Sequence, residues 1–203
     1  MPLTWPDTLT LLEWSATAMT ALSVLLAARR HIATWPIGII GSALYLRLFH
    51  SVNLYAEVVL QLFFIGTSLW GWREWLRQAG GHASQPVRMP AALPRRDIAW
   101  LAALGIAVAL VHGALLAVWT QAYAPFWDSA VLAASVIAQW LLMQGRRETW
   151  LVWILVNTLS VPLYLSRELH VTAGLYALFW LNAWHGWWVW GRPDHACPRG
   201  GHT

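Results

Sequence analysis

Seven apolar runs of membrane-spanning length constrain this chain more than any other feature. They cover about residues 9–28, 33–50, 54–76, 97–119, 126–144, 149–166 and 170–191. A helix crosses the hydrocarbon core of a bilayer with roughly 20 residues, so each run reads as a span; 33–50 and 149–166 are short and would cross with little tilt. A membrane β-barrel is excluded, because the runs do not alternate apolar with polar residues and are too long for barrel strands. Charge argues against a soluble helical bundle. Only 11% of the 203 residues are charged and 58% are hydrophobic, whereas a soluble domain carries about 25% charged residues. The expected class is all-α integral membrane. The first run starts after Asp7 without a basic leader and ends in Arg29-Arg30, which is not the pattern of a cleavable signal peptide.

All 13 basic residues are arginines. With Arg29-Arg30 on one side, eleven of them collect there and only Arg47 and Arg167 fall on the other. Positive residues concentrate on the cytoplasmic side, so the N-terminus is expected outside and the C-terminus in the cytoplasm. The pI near 9.8 therefore reports topology and contact with anionic lipid headgroups, not nucleic acid. Residues 78–96, rich in Gly, Pro and Arg, read as a cytoplasmic linker, and 192–203 as a cytoplasmic tail. The tail's two histidines and Cys197 supply no rigid, complete ligand set, so no metal site is expected. A single cysteine builds no disulfide framework.

The chain also repeats itself. "LYAEVVLQLFFIGTSLWGWREW" (54–75) aligns without a gap on "LHVTAGLYALFWLNAWHGWWVW" (169–190), and six of the 22 positions coincide. Each segment follows a span holding "LYL" (44–46 and 163–165), itself downstream of an Arg-Arg pair. One transporter domain, 1–191, would thus hold repeat one (9–76), a linking helix (97–119) and repeat two (126–191). The third and seventh spans run in the same direction, which makes the repeats parallel. Such repeats, related by an axis along the membrane normal, build transporters whose substrate site lies between them near the midplane.

"WPIG" (35–38), "LYAEVVLQLFF" (54–64), "GWREW" (71–75), "PFWDS" (125–129), "WLVWILVN" (150–157) and "LYALF" (175–179), in this order and spacing, resemble the PnuC vitamin-transporter family. The resemblance covers roughly residues 10–191. It implies a 3+1+3 fold like that of the SWEET proteins, in the bacterial inner membrane. It also implies facilitated diffusion of nicotinamide riboside, metabolic trapping by a cytoplasmic vitamin kinase, and a homotrimer. No GxxxxGK[ST] loop is present, so ATP is not expected to be used; no cofactor is implied, and no buried carboxylate pair suggests proton coupling. No nucleophile, triad or metal cluster points to an enzyme. Thiamine or another vitamin is the alternative cargo, and a non-translocating vitamin receptor the alternative class.

Gln61 lies in the middle of the third span, where a primary amide must face the bundle interior. It would either bond a neighbouring helix, worth about 0.6–2 kcal/mol, or offer one acceptor and two donors to a carboxamide or ribose hydroxyls; the resemblance favours the second. Asn157 lies one turn from Trp153 on a shared face, and this "WxxxN" resembles the family's. Asn182 aligns with Thr67 at mid-depth. His185 aligns with Trp70 and stands where the resemblance implies an asparagine, which leaves the vitamin open. "GLYALFWLNAWHGWWVWGR" (174–192) crowds five tryptophans together. Trp188 and Trp190 are expected in the interfacial aromatic belt. Trp180 and Trp184, with Phe64, Trp127, Trp150, Trp153 and Tyr176, are expected to wall a flat cleft. Aromatic faces attract a pyridinium ring through cation–π contact, and thiamine is equally a flat cation.

Glu57, near the outer end of span three, would draw cations to the entrance. Asp128 opens a helix whose N-terminus favours an acid. His112 reads as a packing residue. Gly38 and Gly41 permit close helix approach, and Pro36 and Pro162 permit bending, either for alternating access or for ordinary packing.

Overall fold

The structure, a computed structural model, describes residues 8–51, 55–79, 92–119, 124–166, 168 and 170–192. Most of the linker, the tail with Cys197, Arg167 and the Glu57 side chain lie outside the described residues. Seven helices are seen: α1 (Thr8–Ala28), α2 (Thr34–Ser51), α3 (Tyr55–Gln78), α4 (Arg95–Trp119), α5 (Pro125–Met143), α6 (Thr149–Leu165) and α7 (His170–Trp190). Each falls within two residues of its apolar run. By length and composition α1, α4 and α5 suffice to cross a membrane, and α6 is apolar over a shorter stretch. The helices α2, α3 and α7 are of like length but carry amides, hydroxyls and indoles, several of which face the interior.

α2 packs on α1 and α3 to form a first half, and α6 on α5 and α7 to form a second; α4 rests on α5. The halves meet where α1 touches α7 and α3 touches α5. Local geometry matches between them in the register that lays 54 on 169. At the end of α1, Arg30 adopts φ 56°, and at the end of α5 its counterpart Gly145 adopts φ 68°. The left-handed residue lets the helix close in a Schellman turn. His31 N donates to Leu26 O (3.0 Å) in one half, and Arg146 N to Leu141 O (2.9 Å) in the other. Just beyond, Thr34 Oγ1 donates to Ser23 O and Thr149 Oγ1 to Ala138 O, both at 2.7 Å. Each threonine ties the start of one helix to the helix before it.

The indole pairs match as well. Trp35 lies flat against Gly71 and Trp150 against Gly186, where any Cβ would run into the ring. Only glycine allows so close an approach. Trp35 meets the edge of Trp75 at 5.2 Å between centroids, and Trp150 meets Trp190 at 5.5 Å. These four rings, with Ala27, Ala28, Leu142, Met143 and Ala183, form the buried core.

The threonine ties give a direct test. Thr149 is fully buried, and Thr149→Val keeps its shape while deleting the donor. The expected loss is about 1 kcal/mol, read as a fall of roughly 2–4 °C in the thermal midpoint for a chain of this size. Thr34→Val should behave alike.

Candidate functional site

A cavity of about 300 Å³ opens between the halves. Four helices supply its walls with the same spacing, i, i+3 and i+7, which puts three side chains on one helical face. From α2 come Trp35, Gly38 and Ser42; from α3, Gln61, Phe64 and Ser68; from α6, Trp150, Trp153 and Asn157; from α7, Tyr176, Phe179 and Ala183. The register that lays 54 on 169 carries each first-half triplet onto its second-half counterpart. The cavity therefore straddles the seam between matching halves, but its chemistry is unequal. Gly38 faces the part played by Trp153, Ser42 that of Asn157, Gln61 that of Tyr176, and Val24 of α1 that of Gln139 of α5.

Among the described residues, no charged side chain lines the cavity. Its polar groups are amides and hydroxyls, and several lack partners. Gln61 is 8% exposed and makes no hydrogen bond with any described residue. Ser68, also buried, makes none either. Asn157 is buried, and its Nδ2 donates to Trp153 O of its own helix at 2.8 Å, which leaves its Oδ1 available. The Nε1 atoms of Trp35 and Trp150, on the same wall, are fully buried and also lack a partner among the described residues. The amide and hydroxyl atoms keep access to the cavity, so a solute that enters must replace the water they would bind, and one that cannot loses about 1–3 kcal/mol per group left unpaired. The aromatic walls supply flat, apolar area and attract positive charge.

Of the residues singled out from sequence, the structure brings Gln61, Phe64, Trp150, Trp153, Asn157 and Tyr176 together around this cavity. Tyr176 packs on Tyr164 (4.8 Å) and Phe179 (6.0 Å). The other five stand elsewhere. Trp127 is 42% exposed and donates through Nε1 to Leu159 O at 2.9 Å. Trp180 donates to Thr158 Oγ1 at 3.0 Å and meets Trp184 edge to face at 5.9 Å, both off the cavity wall. His185 is exposed. Asn182 points inward, but its Nδ2 ties α7 to Val24 O of α1 at 3.1 Å. His112 packs as expected, with Nδ1 hydrogen-bonded to Ser129 Oγ at 2.8 Å. Asp128 stands in the first turn of α5, which has no side-chain cap bond.

One expectation is corrected. Trp190 is not in an interfacial belt but 3% exposed, its Nε1 shared between Ala27 O (3.2 Å) and Ala28 O (3.1 Å). Trp188, by contrast, is exposed, with the Arg192 guanidinium over its ring at 3.5 Å. The sequence reading also passed over Trp35, Ser42, Ser68 and Gln139. Three carried a signal: Trp35 and Ser42 are the register-mates of Trp150 and Asn157, and Gln139 is a mid-span amide like Gln61.

The two groups of tryptophans should differ in binding. Trp153→Ala removes a cavity wall and is expected to weaken binding of an aromatic cation about tenfold, a cation–π contact being worth roughly 0.5–2 kcal/mol. Trp180→Ala, outside the cavity, is expected to leave it within about twofold. Calorimetric titration of the two purified variants with nicotinamide riboside checks this.

Apolar helices of membrane-spanning length around a neutral, aromatic cavity place the chain in the class of membrane proteins with a solute-sized cavity between two matching halves. The comparisons with known proteins narrow the class. The chain matches the nicotinamide mononucleotide transporter family over residues 10–192 and belongs to it. It is 25% identical over 192 residues to the nicotinamide riboside transporter PnuC of Escherichia coli K12, covering 83% of this chain and 80% of that one. It is 23% identical over 176 residues to the riboflavin/roseoflavin transporter RibM of Streptomyces davaonensis, covering 85% and 82%. Its fold matches the crystal structure of the vitamin B3 transporter PnuC with a TM-score of 0.70 and 23% identity, over 89% of this chain and 80% of the other. The chain is thus a multi-pass bacterial membrane transporter related to PnuC.

Proposed function

We propose that this protein imports nicotinamide riboside across the bacterial inner membrane by facilitated diffusion, a cytoplasmic kinase then trapping the vitamin by phosphorylation. The observation that carries this reading is Gln61, a buried amide on the wall of an aromatic cavity with no hydrogen bond to any described residue. Gln61 and Asn157 suit a carboxamide and ribose hydroxyls, while Trp153, Trp150, Phe64 and Tyr176 suit a pyridinium ring. The described wall would hold the cation by ring faces and neutral dipoles. Trp127, Trp180, Asn182, Trp184 and His185 lie off the wall and would act on the path or the packing.

The size of the cavity supports a small-molecule solute. At about 300 Å³ it is of the size of small-molecule pockets. Thiamine remains the second reading, since it too is a flat cation. The matching contacts of the two halves support parallel 3+1+3 repeats as in SWEET proteins, with the N-terminus outside and the C-terminus cytoplasmic. A homotrimer in contact with membrane lipid completes the proposal.

Uptake into proteoliposomes tests it. Labelled nicotinamide riboside should equilibrate without an ion gradient or ATP, and external unlabelled riboside should drive counterflow. Binding without uptake would indicate a receptor, and uptake only with an imposed ion gradient would indicate coupled transport.

A further inference from the structure

The cavity is sealed at the end where α1, α3, α5 and α7 finish. There Trp75 reaches from α3 across the seam, its Nε1 donating to Leu142 O of α5 at 3.0 Å. Trp190 reaches back from α7 to the carbonyls of Ala27 and Ala28 at the end of α1. In the register of the halves Trp75 matches Trp190 and Ala27 matches Leu142, so the two bonds are one contact made twice in opposite directions. The two rings lie 5.9 Å apart. Each is backed by the tryptophan that floors the cavity, Trp35 or Trp150. Two further bonds cross the seam at the same end, Arg30 Nη2 to Val189 O and Gln78 Nε2 to Gln144 O, both at 3.3 Å.

The acceptors suit a contact that is made and broken. Ala27 O and Leu142 O belong to the last turns of α1 and α5, whose carbonyls lack a partner further along the helix. Both already accept a bond within their own turn, from Arg30 N and Gly145 N. Loss of the indole therefore leaves neither carbonyl orphaned, and the helix ends need not unwind. Two contacts described at the opposite end lie inside one half: Thr17 Oγ1 with Tyr45 at 2.7 Å, and Tyr164 with Tyr176.

We infer that Trp75 and Trp190 are the gate residues of the transport cycle at this end, a reciprocal clasp that must part for the solute to leave on that side. The inference rests on the carrier reading of the cavity. It predicts that removing the two indole donors, while keeping aromatic rings, biases the protein toward opening at this end.

The test uses the full chain with Cys197→Ser and a reporter, Ala183→Cys, which lies in the cavity wall and is 1% exposed. A membrane-impermeant maleimide is added from the side that carries Arg29, itself marked in a parallel sample by Arg29→Cys. In Trp75→Phe/Trp190→Phe the labelling rate from this side should rise about tenfold or more, as expected for two lost hydrogen bonds, and fall from the other side. Trp188→Phe, on an exposed ring outside the cluster, should change neither. An unchanged rate in a monodisperse double variant would overturn the gate, and so would an equal rise from both sides, which marks mere loosening. Should the double variant fail to fold, each single variant decides by the same two readings. Absence of riboside binding to the wild type would count against the substrate alone, because sidedness of labelling is read without it.

Discussion

Gln61→Ala is expected to weaken binding of nicotinamide riboside by about 10- to 100-fold, the loss of roughly 1.4–2.8 kcal/mol. Its thermal midpoint should stay within a few degrees of the wild type. The two halves of this expectation come from one observation. Gln61 is buried on the cavity wall but bonded to no described residue, so the folded protein loses no hydrogen bond when the amide goes. A structural amide would behave in the opposite way, with stability falling and affinity following it. Calorimetric titration together with thermal unfolding of the same sample separates the two.

Gly186→Val is expected to destabilise the protein by about 3 kcal/mol, the upper part of the range for overpacked sites. The side chain would meet the ring of Trp150, which is 2% exposed and braced against Trp190, so the ring can give way only by breaking that contact and moving into the cavity it floors. Gly71→Val, against Trp35, should cost about as much. Gly66 offers the contrast. It lies inside α3 with open space where a Cβ would go, and Gly66→Ala should stabilise by about 1 kcal/mol through helix propensity alone. Thermal midpoints in one detergent give both signs. A gain at Gly186 would mean that the indole packing at the seam is looser than its geometry indicates.

The helices were legible because hydrocarbon imposes length: each apolar run became a helix with ends shifted by no more than two residues. Depth was legible too, and it rightly turned Gln61 and Asn157 inward. Depth does not fix the direction around the helix axis. Trp190, near the end of its helix, resembled a belt residue, yet it faces the seam and bonds the end of α1. Asn182 was correctly read as pointing inward, but the inside of α7 has two parts. One residue on, about 100° around the helix, Ala183 faces the cavity, while Asn182 faces α1. Trp180 and Trp184 share a stripe that proves to be the wrong side of α7. The internal repeat held further information. Had the register been carried past the aligned segment, Trp150 would have nominated Trp35, and Asn157 would have nominated Ser42. Hydroxyls such as Ser68 give little signal in sequence, because a serine in a span can satisfy itself on its own helix.

The central claim is that the seam cavity holds nicotinamide riboside through Gln61 and an aromatic wall. Titration of the purified protein with nicotinamide riboside, thiamine and riboflavin, followed as heat and as quenching of the tryptophans, tests it most directly. Riboside should bind with quenching, thiamine and riboflavin should not displace it, and Gln61→Ala should weaken it by about 10- to 100-fold. Tighter binding of thiamine or riboflavin, or riboside binding undiminished in Gln61→Ala, would contradict it.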